Sequence, residues 1–166
     1  LKEFWNKEEA AICVVYGRRG VGKTRLLLEF SKQVKKCIYI AIPEGAWNVI
    51  AESIVRQMSL PPYLKFPRFE DFLEYLSSIG NEKVLVIIDE FPRIADAISS
   101  ASSILQRFWD LKLSNTRIKL VLCGSSVGMM MKETLSYTAP LYGRASHVIH
   151  LKSFRYMEFR KILRGI

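Results

Sequence analysis

Four stretches of the chain are apolar at nearly every position and rich in Val and Ile: AICVVY (11–16), CIYIAI (37–42), KVLVIID (83–89) and IKLVLCG (118–124). A run of about four to eight such residues without alternation suits a strand covered on both faces. A fifth run, SHVIHL (146–151), is weaker. Between the runs, apolar positions return with the helical period of about 3.6 residues over Lys23–Lys35, Glu44–Met58, Phe69–Ile79, Ile98–Leu113 and Ser126–Leu135. Strands that alternate with helices pair in parallel through right-handed crossovers, so the pattern predicts a three-layer α/β fold. SLPPYLKFPRF (59–69) carries three prolines and reads as a loop between the second and third strands.

Composition narrows this picture without changing it. The 166 residues fit one domain, 1–166, able to bury roughly 70% of its unfolded surface without a disulfide or metal staple. Hydrophobic residues at 49% and charged residues at 25% are a globular mixture, and no internal repeat or linker divides the chain. No apolar run reaches the roughly 18 residues that span a bilayer, and LKEFWNKEEA lacks the layout of a signal peptide. The expectation is a cytoplasmic protein with no membrane partner. Cys13, Cys37 and Cys123 are scattered through apolar runs without CxxC spacing, which predicts buried thiols rather than a metal or redox site. The chain starts at Leu1 and ends at Ile166 inside a helix-like pattern, so a piece of a longer protein is expected.

The chemistry begins where the first strand ends. GRRGVGKT places Gly17, Gly22, Lys23 and Thr24 in the spacing GxxxxGK[ST], between a strand and a helix. A triphosphate carries several negative charges that must be held without crowding. Glycines let backbone N–H groups converge on it, and the new helix adds its positive end. The candidate nucleotide-binding set is Gly17, Gly20, Val21, Gly22, Lys23, Thr24 and Arg25, with Lys23 reaching the terminal phosphates and the Thr24 hydroxyl offered to Mg2+. Arg18 and Arg19 occupy free positions of the loop, either solvated or touching phosphate.

VLVIIDE ends the third strand with two carboxylates, on the sheet edge where parallel strands present ligands. Asp89 is the candidate partner of Mg2+ alongside Thr24, and Glu90 the candidate base that deprotonates the attacking water. An acidic turn facing solvent is the plainer alternative. LVLCGSSVG puts Ser125 just past the fourth strand, where a hydroxyl can bond the γ-phosphate or the lytic water, and Ser126 where it can cap the next helix. Arg144, in APLYGRASHVIHL, is either an arginine delivered to the γ-phosphate from the same or a neighbouring chain, or a surface cation. His147 and His150 alternate with apolar residues of the fifth strand and read as structural.

The formal net charge is +9, and Arg144, Lys152, Arg155, Arg160, Lys161 and Arg164 against Glu158 supply five of those charges. Such a basic C-terminal segment is either a DNA-facing surface or the solvated face of a terminal helix.

VVYGRRGVGKTRLL, VLVIIDEFPRI, LVLCGSSVGMM and APLYGRASHVIHLKSF together resemble the archaeal and bacterial P-loop ATPases of the AAA+-like and STAND groups. The resemblance implies a five-stranded parallel sheet of order 5-1-4-3-2, which sets Ser125 near the γ-phosphate. It implies Walker A roles for Lys23 and Thr24, Walker B roles for Asp89 and Glu90, a first-sensor role for Ser125 and an arginine finger at Arg144. Members of these groups continue into a helical lid and usually a winged-helix domain, neither of which lies in these residues. The function implied is binding and hydrolysis of Mg·ATP as a nucleotide switch for downstream domains or a protein partner, with release of ADP. A DNA-associated ATPase and a non-hydrolysing nucleotide scaffold are the alternatives.

Overall fold

A computed structural model describes residues 1–153. A short helix, α1 (Lys2–Asn6), leads into β1 (Ala11–Tyr16), α2 (Lys23–Ser31), β2 (Cys37–Ala41), α3 (Trp47–Gln57) and α4 (Phe69–Ile79). Then follow β3 (Val84–Asp89), α5 (Pro92–Ala97), α6 (Ala101–Leu111), β4 (Ile118–Gly124), α7 (Val127–Met130) and β5 (Ala145–His150). All strand pairs are parallel, and the sheet order β2-β3-β4-β1-β5 is the predicted 5-1-4-3-2 read from the other edge.

The unbroken apolar runs follow from double coverage. Alternate residues of each central strand point to opposite faces. Ile12, Val14, Val86, Ile88, Leu120 and Leu122 face one core with residues of α3, α4, α5 and α6. Cys13, Val15, Leu85, Ile87, Val121 and Cys123 face the other, against Phe4 of α1 and Leu27 and Phe30 of α2. Each side chain of this size taken wholly from water contributes about 1.5–3 kcal/mol, so neither face tolerates a polar substitution cheaply.

Register matters most for function. Tyr16 pairs with Gly124, Asp89 with Cys123, and Ala41 with Asp89, so β1, β2, β3 and β4 end level at one edge of the sheet. The loops that follow them therefore emerge side by side.

The structure departs from the sequence expectations at several element ends. The expected helix from Glu44 begins instead at Trp47, because Gly45 sits at φ 136°, outside helical backbone. The span Ile98–Leu113 contains α6 and then a 3-10 turn at Leu113–Asn115, and it is preceded by α5, which the periodicity does not show. Ser126–Leu135 is one α-turn followed by a π-turn at Met131–Leu135, in which buried Glu133 accepts a hydrogen bond from Ser102 of α6. The proline-rich loop is pinned to α3, since the Trp47 indole donates to the Phe66 carbonyl at 2.9 Å.

Cys13 and Cys123 are buried free thiols, as expected, and burial pushes the Cys13 thiol up to about 12. Cys37 is only half-buried, because β2 is an edge strand. His150 stacks on Tyr16 at 4.4 Å and His147 meets Phe4 edge-on at 5.7 Å, both packing roles. Among the described residues no helix is long and apolar enough to cross a membrane. Of the basic segment, Arg155, Arg160, Lys161 and Arg164 lie outside the described residues.

Candidate nucleotide-binding site

The loop between β1 and α2 takes its shape from its glycines. A Cβ on Gly17 would lie 2.1 Å from the Leu151 carbonyl oxygen, and the Leu151 N–H donates to the Tyr16 carbonyl at 2.8 Å, so the chain after β5 presses directly against this residue. Gly20 and Gly22 hold φ of 85° and 96°, left-handed backbone that L side chains avoid. Gly22 is the N-cap of α2 and carries no capping side chain, which leaves first-turn N–H groups directed into the loop.

Lys23 is buried, and its Nζ donates to the carbonyls of Gly17 at 2.6 Å and Arg18 at 3.0 Å. An ammonium has three donors, so one remains for an anion in the loop. Beside it, the Thr24 hydroxyl donates to Oδ2 of Asp89 at 2.9 Å, joining the glycine loop to the end of β3. Asp89 is buried as well, and the same Oδ2 accepts the phenol of Tyr39 on β2. Burial, with the Asp89 carboxylate next in weight, drives the Tyr39 phenol well above its ordinary range, so it stays protonated and donates.

Glu90 occupies left-handed backbone at φ 61°, a costly conformation for a residue with a Cβ. Its Oε1 accepts the Ser125 hydroxyl, and the Ser125 N–H lies 3.4 Å from Oε2. Ser126 caps α7 by accepting the Met129 N–H at 3.4 Å, the role expected of it.

A crevice of about 830 Å³ brings together Gly20, Gly22, Lys23, Thr24, Arg25, Asp89, Glu90 and Ser125, with Arg19 also at its wall. Its size suits a drug-sized or nucleotide-sized ligand. Gly17 lies behind it, acting through its carbonyl on Lys23, and the Val21 N–H turns back to the Arg18 carbonyl at 3.4 Å. Arg144 is not brought here. Its guanidinium clasps Asp110 of α6 through Nε at 3.0 Å and Nη2 at 2.7 Å, and that arginine holds the Asp110 carboxyl below its usual range.

Two residues at the site have no counterpart in the sequence reading. Tyr39 interrupts an aliphatic strand, but only the register of β2 on β3 shows that it shares a face with Asp89. Arg93 of α5 lines the crevice, its Nη1 donating to the Ile42 carbonyl at 2.6 Å and its Nη2 lying 3.6 Å from Glu44. Pro92 at the first helical position is the signal for α5 that periodicity lacks.

The donors present fit Mg2+ with a phosphate ligand. Thr24 and Asp89 offer hard oxygens, and among the described residues no cluster of three His, Cys, Asp or Glu forms a cage of its own. That suits an ion that is held by one or two protein oxygens and takes its other ligands from phosphates and water.

Comparison with known proteins decides the family. The model of an ATPase domain predominantly from Archaea matches residues 48–166. The chain belongs to this family. The match takes in Asp89, Glu90, Ser125 and Arg144 and begins after the glycine loop, so the loop is evidence from outside the matched span. An uncharacterized protein of Methanocaldococcus jannaschii is 31% identical over 161 residues, 97% of this ATPase domain and 35% of the relative. A second uncharacterized protein of that organism is 39% identical over 57 residues, 34% of this chain and 55% of the other. The matched segments of this chain thus span about a third of the length of the first relative and about half of the second.

Among solved structures, a Walker-type ATPase of Pyrococcus abyssi aligns with a TM-score of 0.63 at 21% identity, over 93% of this chain and 52% of that one. Cdc6p of Pyrobaculum aerophilum aligns with a TM-score of 0.58 at 22% identity, over 98% and 45% respectively. At that identity the two show the fold alone, the five-stranded parallel α/β sheet of P-loop NTPases.

Proposed function

We propose that this ATPase domain binds Mg·ATP in the crevice between the glycine loop and the ends of β3 and β4, and hydrolyses it slowly as a nucleotide switch. The observation that carries the reading is the 2.9 Å bond from Thr24 to Asp89. It joins the two motifs that were separate in sequence at the point where phosphate and metal must meet.

The loop amides of Gly20, Gly22, Lys23 and Thr24 and the Lys23 ammonium hold the β- and γ-phosphates. Thr24 and Asp89 would hold Mg2+, which when bound would offset the charge of the phosphates. Glu90 orients a water and takes its proton as the water oxygen bonds to the γ-phosphorus. The bond from that phosphorus to the β–γ bridging oxygen breaks, and ADP and inorganic phosphate leave. Arg93 places a guanidinium at the crevice wall, where it can stabilise charge on the transferring group.

Slow turnover follows from Ser125, which engages Glu90 through its hydroxyl and its N–H. A phosphate oxygen that draws the Ser125 hydroxyl away frees Oε1 to take a proton, so the serine couples nucleotide state to the base. The regions of the first relative beyond the matched span are where such a switch would act.

Calorimetry of ATP with and without Mg2+, together with phosphate release by wild type and Glu90→Gln, tests the reading. Expected are Mg-dependent binding by both proteins and phosphate release by wild type alone. Equal release by the two removes Glu90 as base, and binding without release selects a scaffold.

A further inference from the structure

We infer that Tyr39 is a positioning residue for the metal-facing carboxylate, setting which oxygen of Asp89 is presented to a divalent cation. The inference rests on the Mg·ATP reading and extends it to a residue outside both sequence motifs.

Asp89 ends β3, and a carboxylate at a strand end can rotate about its last bond. Here two hydroxyls from different elements converge on one oxygen. Thr24 of α2 donates to Oδ2 at 2.9 Å, and Tyr39 of β2 donates to the same Oδ2. Neither uses Oδ1. With two donors fixed on Oδ2 the rotation is held, and Oδ1 is directed by default, while the residue as a whole lines the crevice.

Thr24 alone would do this poorly, because its hydroxyl is also the group expected to share a cation. Once its lone pair faces a metal, its proton remains the only tie to Asp89. Tyr39 supplies a second tie from a separate strand, anchored by the β2–β3 ladder, in which Tyr39 pairs with Ile87 and Ala41 with Asp89. The phenol is rigid, with few rotamers to lose, and therefore holds an acceptor better than a flexible donor would. A hydrogen bond to a charged acceptor is among the stronger ones, so its loss should be measurable in cation affinity.

The test compares wild type, Tyr39→Phe and Tyr39→His in three measurements on the intact chain. These are thermal unfolding, affinity for a non-hydrolysable ATP analogue in EDTA, and affinity of the protein–analogue complex for Mn2+ followed by its paramagnetic resonance. Removal of the phenolic oxygen should leave unfolding and metal-free nucleotide affinity near wild type and weaken Mn2+ binding on the order of tenfold. Tyr39→His, which keeps a ring donor, should recover part of that loss and takes the place of Tyr39→Phe if that variant does not fold. Mn2+ binding unchanged or tighter in a folded Tyr39→Phe protein overturns the inference. So does a loss that appears equally in EDTA, since that marks a general packing role. A wild type that binds no Mn2+ with the nucleotide overturns the Mg·ATP reading itself, and this inference falls with it.

Discussion

Ser125 holds Glu90 at two points, its hydroxyl on Oε1 and its backbone N–H 3.4 Å from Oε2. Glu90 is at the same time one of two non-glycine residues in left-handed backbone among those described. A strained residue whose side chain is also tethered is held in place by its surroundings rather than by its own preference. Ser125→Ala should raise kcat for phosphate release by about threefold or more while KM for ATP stays within about twofold, because Oε1 of Glu90 is then free before any phosphate oxygen draws the hydroxyl away. A kcat equal to wild type at saturating ATP would remove the coupling.

The two arginines separate cleanly. Arg93 lines the crevice, whereas Arg144 is occupied by Asp110. Arg93→Ala should cut hydrolysis on the order of tenfold with ADP affinity little changed, and Arg144→Ala should leave turnover of dilute protein within about threefold. Phosphate release measured across protein concentrations checks both. A loss in Arg144→Ala of about 10³-fold that emerges only as concentration rises would show the arginine acting in a neighbouring copy.

Gly17 and Gly20 are predicted to respond differently to alanine. At Gly17 the new Cβ meets the Leu151 carbonyl at 2.1 Å, while at Gly20 nothing lies within 4 Å and only the φ of 85° resists. Gly17→Ala should destabilise by about 2 kcal/mol or more, as overpacking against backbone does. Gly20→Ala should cost about 1 kcal/mol. Denaturant unfolding of the two variants gives the order, and equal losses would contradict the close approach of the chain after β5.

Lys119 is a buried lysine in β4 whose ammonium donates to the Glu9 carbonyl. Burial, and next the nearby Lys83, pulls it down to about 8. Its folded value lies below the unfolded value of about 10.4, so between those values the unfolded chain binds more protons. Stability therefore rises with pH through that window from this group. Lys119→Met should lack the rise. Thermal unfolding of both proteins from pH 7.5 to 10 reads the difference, and parallel curves would refute it.

Much of the fold was legible because double coverage writes itself into composition. A strand buried on both faces cannot carry polar residues, so β1, β3 and β4 stand out as continuous runs. β5 is weaker in sequence because it is an edge strand whose burial alternates. α5 was hidden because six residues are too few to show a period, and α1 for the same reason. The helix expected over Ser126–Leu135 is apolar enough for one, but the hydrogen bond between Ser102 and Glu133 accompanies a wider turn that no local pattern signals.

The site divides along the same line. Gly17, Gly22, Lys23 and Thr24 announce themselves because their roles depend on neighbours within eight residues, where backbone geometry alone imposes the spacing. The carboxylates of Asp89 and Glu90 are visible for a similar reason, as charges closing an apolar strand. By itself, then, the amino-acid order determined which segments are buried and which loop can cradle an anion, since both are short-range consequences of side-chain chemistry. Only the tertiary structure decided that Tyr39 shares Asp89 with Thr24, that Ser125 holds Glu90, and that Arg144 turns to Asp110 while Arg93 lines the crevice. The hydrogen-bonded pairs among them lie between 34 and 65 positions apart and rest on strand register and helix packing, which arise from the cooperative burial of the whole core.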